Sequence, residues 1–391
     1  MDIGAYEVAS NGLGSAGNDV IYVKASADGA QLEFFDSNPP TGSPVLTWHM
    51  NSTSSFLLDT LAGDDELIVQ LPAGTSGPPG GILYEAGSGT NRFRLLSGTI
   101  RVDSTASGGT LNTTVETGAH LSTSRLTQND LALHNNSRVT LLPSGQTSVI
   151  TSLSLGPDAT FDIGDNALVL DYSGASPIDT IRDRILAGRG GPGLGASWTG
   201  TGITSSAVAQ ANQTEAESRS IGYADNALLP LGAYSTFRGV PVDDTAVLIA
   251  YTRTGDANLD SLVDDDDATL LGASYAPTAP GAVWALADFD YNGFVDDDDT
   301  TLLGVFYTPS VNGVPALPTN DLVGMHGRVP KDDLVDLLAE AIAKDGQSEF
   351  AGLASLGRRR PQEAWAADHL WACCKQRIDA SSTGHVPCNR R

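Results

Sequence analysis

The sequence predicts a mainly β chain: a right-handed β-solenoid-like region, a small α/β cap, and then a small α-helical unit of two loop–helix halves. Three observations lead there. Short apolar runs alternate with turn residues in the first part of the chain, apolar residues recur at coil-like spacing in the second, and a stretch of 21 residues occurs twice near residue 300. Composition agrees, since 43 glycines and 6% aromatic residues suit a turn-rich β protein better than a helical core.

Over residues 1–91 the runs VIYV (20–23), QLEFF (31–35), PVLTW (44–48), SFLLD (55–59) and ELIV (66–69) are each bounded by Gly, Asp, Asn or Pro, which predicts short strands with tight turns. Two strand starts are alike, AGNDVIYV (16–23) and AGDDELIV (62–69). They look like the end of a repeat-in-toxin calcium motif. The Gly-Gly-x-Gly half is missing, however, and Asn and Asp that accept turn geometry are the preferred reading.

Residues 92–172 carry the solenoid signal. Val115-x5-Leu121, Leu133-x5-Val139 and Leu155-x5-Phe161 start 18 and 22 residues apart, the length of one β-solenoid coil. An antiparallel sandwich of short strands is the alternative. Residues 173–250 read as the cap. Ser176 is the expected helix N-cap, with Pro177 first in the helix and Gly188 as its stop. Ile178, Ile181, Ile185 and Leu186 fall near one helical face. A second helical stretch is expected over 205–218, then a strand over 245–252.

The duplication spans 251–308. GDANLDSLVDDDDATLLGASY (255–275) and ADFDYNGFVDDDDTTLLGVFY (287–307) share 11 of 21 residues, and Asp288 follows Asp256 by 32. Calcium loops place oxygen ligands at positions 1, 3, 5, 7, 9 and 12, using the backbone carbonyl at position 7. Those positions are Asp256, Asn258, Asp260, Leu262, Asp264 and Asp267 in the first copy. In the second they are Asp288, Asp290, Asn292, Phe294, Asp296 and Asp299. Every side-chain position is Asp or Asn, and position 8 is apolar in both (Val263, Val295). A solvated acidic loop is the bland alternative. Hard oxygen donors without His or Cys favour two Ca²⁺ ions over transition metals. Position 6 needs a positive φ, so Ser261, where the second copy has Gly293, should add strain on the order of 1 kcal/mol and weaken the first site.

Two twelve-residue loops that end in Asp, each followed by one helix, resemble the type I dockerin domain over about residues 251–308. More broadly, the layout is similar to planctomycete-type β-solenoid surface proteins with a terminal pair of this kind. The resemblance implies calcium-dependent folding and docking to a cohesin-like or other surface protein. The family reads its partner largely with small hydroxyl residues at positions 10 and 11. Here Asp265, Asp266, Asp297 and Asp298 stand there, which would either demand a basic partner surface or simply add calcium affinity and solubility.

Residues 309–391 are expected to hold a linker, an amphipathic helix over 330–343 and a disordered tail. The tail carries His369, Cys373, Cys374, His385 and Cys388, a spacing superficially suited to zinc. With every cysteine in that tail, no disulfide framework supports the main body.

The net charge of −25 argues against nucleic acid and anionic membranes as partners, and no apolar run is long enough to span a bilayer. The charge is uneven: 12 Lys/Arg face 38 Asp/Glu up to residue 327, and 10 face 9 beyond it. The opening MDIGAYEVASNG has no signal-peptide pattern, which leaves an unusual export route or, the preferred reading, a chain that is part of something longer.

No catalytic residue is expected. There is no G-x-S-x-G elbow or P-loop, GRGGPG (188–193) reads as a loop, and His49, His120 and His134 are expected to face solvent. The function expected is therefore an extracellular, calcium-binding structural or adhesive surface protein. The alternative is the C-terminal part of a polysaccharide-degrading, cellulosome-like protein recruited through its paired loops.

Overall fold

The computed structural model describes residues 13–308. The expected helix over 330–343 and the Cys/His tail lie outside the described residues. Strands β1 (Val20–Ala25), β2 (Gln31–Phe35) and β3 (Leu46–His49) form an antiparallel edge. The chain then alternates between two sheets. The strands in order are β4 (Phe56–Asp59), β5 (Glu66–Gln70), β6 (Ile82–Glu85), β7 (Thr90–Ser97), β8 (Thr99–Thr105), β9 (Thr110–Val115), β10 (His120–Thr123), β11 (Thr127–Leu133), β12 (Arg138–Leu141), β13 (Thr147–Leu155), β14 (Thr160–Asp162) and β15 (Ala167–Asp171).

Even-numbered strands from β4 onward stack in one parallel sheet, and odd-numbered strands from β5 stack in the other. Parallel neighbours need a crossover. Here the strand of the opposite sheet provides it, which makes a β-solenoid of about five turns. The antiparallel-sandwich alternative is excluded by this parallel pairing.

Register explains the sequence spacing. Val115, Leu133 and Leu155 pair across one sheet, and Leu121, Val139 and Phe161 across the other. All six are buried. Of the five residues between each pair of apolar positions, four form the corner joining the two sheets and the fifth opens the next strand.

The boundary expected at residue 92 falls inside this ladder. Leu67 pairs with Phe93 and Ile21 with Leu67, so the parallel stack reaches back to β1. Only β1–β3 form a meander. The early coils escaped the 18–22 spacing because they are longer. Their corners are stapled by side chains: Asn18 Oδ1 accepts from the Asp64 N–H at 2.9 Å, 46 residues on, and Asp64 Oδ1 accepts from the Thr90 N–H at 2.7 Å, 26 residues on. In parallel, Asp65 Oδ1 accepts from the Asp19 N–H, and Asn91 Oδ1 from the Asp65 N–H. The two similar strand starts are thus stacked corners with Asn/Asp turn chemistry.

The cap follows: α1 (Ile178–Arg189), β16 (Gly202–Thr204), α2 (Ser206–Thr214), β17 (Arg219–Asp225), a hairpin of β18 (Thr236–Phe237) and β19 (Val240–Pro241), and β20 (Ala246–Arg253). Strand β16 extends the shorter sheet in parallel, whereas β20 and β17 end the longer one in antiparallel pairing. Helix α1 departs from expectation at both ends. Its N-cap is Pro177, and it ends at Gly190, which adopts a left-handed φ of 97°. Gly188 stays inside the helix, where a Cβ would lie 1.9 Å from the Ile203 carbonyl oxygen. It is a packing glycine that lets α1 lie against β16.

Two further helices, α3 (Asp265–Ser274) and α4 (Asp297–Phe306), complete the described chain. One continuous buried apolar cluster runs from Ile21 through the solenoid and cap to Phe306. Among the described residues no helix is long and apolar enough to cross a membrane. Of the three histidines placed, His49 and His134 are exposed. His120 is half-buried instead, its Nε2 lying 3.0 Å from Thr140 Oγ1.

Candidate metal centre

Strand β20 runs almost directly into the first acidic loop, and Gly255, with φ 105°, makes the turn that its neighbours Thr254 and Asp256 leave to it. Each loop is organised by its own carboxylates. In the first, Asp256 accepts from the N–H groups of Asp260 and Ser261, both at 3.0 Å, and from the Thr252 hydroxyl. Asn258 Oδ1 accepts from the Asp260 N–H and Asp260 Oδ1 from the Leu262 N–H, successive Asx turns that fold the loop back on itself.

In the second loop Asp288 Oδ2 accepts from the Gly293 N–H at 3.1 Å. Asp290 accepts from the Asn292 N–H and Asn292 from the Phe294 N–H. Position 12 closes both loops the same way. Asp267 accepts from the N–H groups of Ala257, Asn258 and Asp264, and Asp299 from those of Phe289, Asp290 and Asp296.

The VDDDD runs have a structural role that ligand numbering does not reveal. Asp264 and Asp296 are the N-caps of α3 and α4, and each forms a capping box with the Asp three residues later. The other acidic residues occupy the first helical turn, where the helix dipole favours negative charge. Four consecutive aspartates are therefore tolerated because they start a helix.

Val263 and Val295 are buried as position 8 requires. The backbone joins the two halves reciprocally: the Thr308 N–H donates to the Val263 carbonyl at 2.8 Å, and the Ala276 N–H to the Val295 carbonyl at 3.0 Å. Tyr275 donates to Asp297 at 2.7 Å, and Tyr307 donates to Asp265, so each position-10 carboxylate is held by a tyrosine of the other half.

The side chains of Asp288, Asp290 and Asp299 bring carboxylate oxygens within 4.8 Å of one another, all three buried. Among the described residues no other group of three acidic, His or Cys side chains is gathered so closely. Asp288 Oδ1 is buried without a hydrogen-bond partner. Burial, with Asp299 and Asp290 nearby, pushes the Asp288 carboxyl up to about 8. Burial likewise pushes Asp299 up to about 7. Burial raises Asp290 as well, while Arg189 opposes the rise.

A buried carboxylate oxygen with no donor, facing two further carboxylates, fits a hard divalent cation. The first loop is less concentrated. Asn258 replaces an acid at position 3, Asp260 is exposed, and both Asp256 oxygens already have donors. Burial still pushes Asp256 and Asp267 each up to about 7. Leu262 and Phe294 stand at position 7, where a backbone carbonyl is the expected ligand, and Leu262 is 40% exposed.

Position 6 has the expected backbone: φ is 80° at Ser261 and 85° at Gly293. Position 4 shares it, with φ 67° at Leu259 and 62° at Tyr291. Both position-4 side chains are buried against the cap. So is Arg189, at 1% exposure, its Cζ 4.9 Å from the Tyr291 ring and its Nη2 3.8 Å from Glu217 Oε2. Sequence reading placed Arg189 in a loop and missed it. The available signal was a cation in the last helical turn, immediately before glycines. Compared with protein-family models, curated proteins and solved structures, the chain gives no match.

Proposed function

We propose that the paired loops bind two calcium ions and that the chain is an extracellular structural or adhesive surface protein whose solenoid is the stalk. The observation that carries this reading is the unpartnered, buried Asp288 Oδ1 among the carboxylates of Asp290 and Asp299. Asp290, Asn292, Asp296 and the Phe294 carbonyl would complete the second site with Asp288 and Asp299. Asp256, Asn258, Asp260, Asp264, Asp267 and the Leu262 carbonyl would form the first. Bound calcium supplies the positive charge that these buried carboxylates lack. Magnesium fits less well, because it resists losing its waters to an all-protein cage.

The loop-then-helix halves and their reciprocal contacts support a dockerin-like fold for 251–308. A docking partner that reads position 10 would compete with Tyr275 and Tyr307 for Asp297 and Asp265. The role proposed is structural, not catalytic. Calorimetric titration of the full chain with calcium, after chelator treatment, is expected to show two sites. Circular dichroism is expected to lose helical signal in chelator. Absence of binding heat at millimolar calcium would overturn the reading.

A further inference from the structure

The paired-loop unit is built into the solenoid end in a way that a tethered docking module would not need. Trp284, fully buried, donates its Nε1 proton to the Asp256 carbonyl at 2.7 Å and packs against β17. The fit is close at Gly222 in β17, where a Cβ would lie 2.4 Å from Leu259 Cδ2 and 2.7 Å from Trp284 Nε1. Tyr291 donates to the Ile221 carbonyl, also in β17, at 2.7 Å. From the other side of the cap the Gly193 N–H donates to the Asp290 carbonyl at 2.8 Å, and Tyr234 donates to the Asn258 carbonyl at 2.9 Å.

The residues that reach the cap alternate with the ligand positions. Leu259 and Tyr291 are at position 4, between the side chains of positions 3 and 5, and both hold a left-handed backbone. Seating of each position-4 side chain in the cap holds the backbone between the ligand candidates of positions 3 and 5. The apolar core continues across this junction without a break. Stacked-coil proteins need their last coil closed, because its apolar face has no further neighbour.

We infer that the paired-loop unit is the closing plug of the solenoid, and that metal bound in the loops stabilises the cap strands β17 and β20 through Leu259, Trp284 and Tyr291. This rests on the calcium reading above. Coupling of this kind is reciprocal, so loosening the cap must weaken metal binding.

Hydrogen exchange of the full chain, with calcium and with chelator, tests the inference alongside calorimetry. Calcium is expected to slow exchange about tenfold in 219–225 and 246–253, which hold no ligand, as well as in the loops. Gly222→Ala is expected to weaken calcium binding by about tenfold with every ligand intact. Should Gly222→Ala fail to fold, Tyr291→Phe, which removes only the hydroxyl to Ile221, is expected to reduce the protection of 219–225. Measured binding heat with unchanged exchange in 219–225 would overturn the plug while leaving the calcium sites standing. No binding heat would overturn both.

Discussion

The two acidic loops share twelve-residue numbering, capping boxes and closing aspartates, yet they differ in how far they satisfy themselves. In the first, both Asp256 oxygens have donors, supplied by Thr252, Ser261 and Asp260. In the second, Asp288 Oδ1 has none. The first has Asn258 at position 3, where the second has the buried Asp290. A duplicated sequence has thus produced one loop whose first aspartate is fully hydrogen-bonded and one that leaves a buried carboxylate oxygen without a donor. The missing donor lies within the repeat, because the Asp260 N–H reaches Asp256 Oδ1 whereas the equivalent Asn292 N–H donates to Asp290, and the surroundings differ as well. Thr252 and Arg238 meet the first loop, whereas Arg189 and Glu217 lie behind the second.

The largest expected effect follows from that contrast. Asp288→Asn removes the unpartnered charge and is expected to eliminate the second site, a loss beyond the ~100-fold that an outer-shell partner can cost. Above about pH 8, where Asp288 is ionised, the same change should raise the melting temperature of the metal-free chain, because it relieves repulsion from Asp290 and Asp299. Asp256→Asn should weaken the first site without raising that temperature, since an amide would lose part of the three hydrogen bonds that the Asp256 carboxylate accepts. Calorimetry reads the stoichiometry, and thermal melts in chelator read the stability. Equal effects of the two substitutions would erase the distinction between the loops.

Proton linkage gives the next effect. In the metal-free fold Asp256, Asp267 and Asp299 are raised to about 7, and Asp288 to about 8, by burial first. An unfolded carboxyl titrates near ~3.9, so between about pH 4 and 8 the folded chain binds more protons than the unfolded one. Metal-free stability should therefore fall as pH rises from about 4 and level off above about 8. The proposed calcium would replace those protons, so its affinity should rise across the same range with proton release. Melts at pH 5 and pH 8 are expected to rank in opposite order with chelator and with saturating calcium. The same ranking in both would mean that protons and metal do not compete for these groups.

Periodic features of this architecture were legible in sequence, and tertiary packing was not. The rows Val115–Leu133–Leu155 and Leu121–Val139–Phe161 follow from a fixed coil length, and the doubled loops from direct repetition. The earlier coils were hidden because 26 residues separate Leu67 from its partner Phe93, and no repeat of 18 or 22 reveals that pairing. Gly188 carries a helix-stop signal but serves close approach to Ile203. Likewise, position 4 of a calcium loop has no required chemistry. Only the cap surface explains why Leu259 and Tyr291 stand there.

The smallest expected effect concerns Ser261, and it sharpens the comparison most finely. Its φ of 80° is the same turn that Gly293 makes at 85°, so the serine costs on the order of 1 kcal/mol that glycine does not. Sequence alone makes Ser261→Gly a gain for the first site. However, Arg238 Nη2 donates to Ser261 Oγ at 3.1 Å, while its Nη1 holds the Tyr251 carbonyl at 3.0 Å. A net hydrogen bond contributes about 0.5–1.5 kcal/mol, enough to offset the backbone cost. Ser261→Gly alone is therefore expected to change stability by less than about 0.5 kcal/mol. Made in an Arg238→Met background, where that bond is already absent, it should recover close to the full ~1 kcal/mol. Denaturant unfolding of the four variants in chelator reads this cycle. An equal gain from Ser261→Gly in both backgrounds would show that Arg238 contributes nothing through the serine, and that the first loop carries its strain uncompensated.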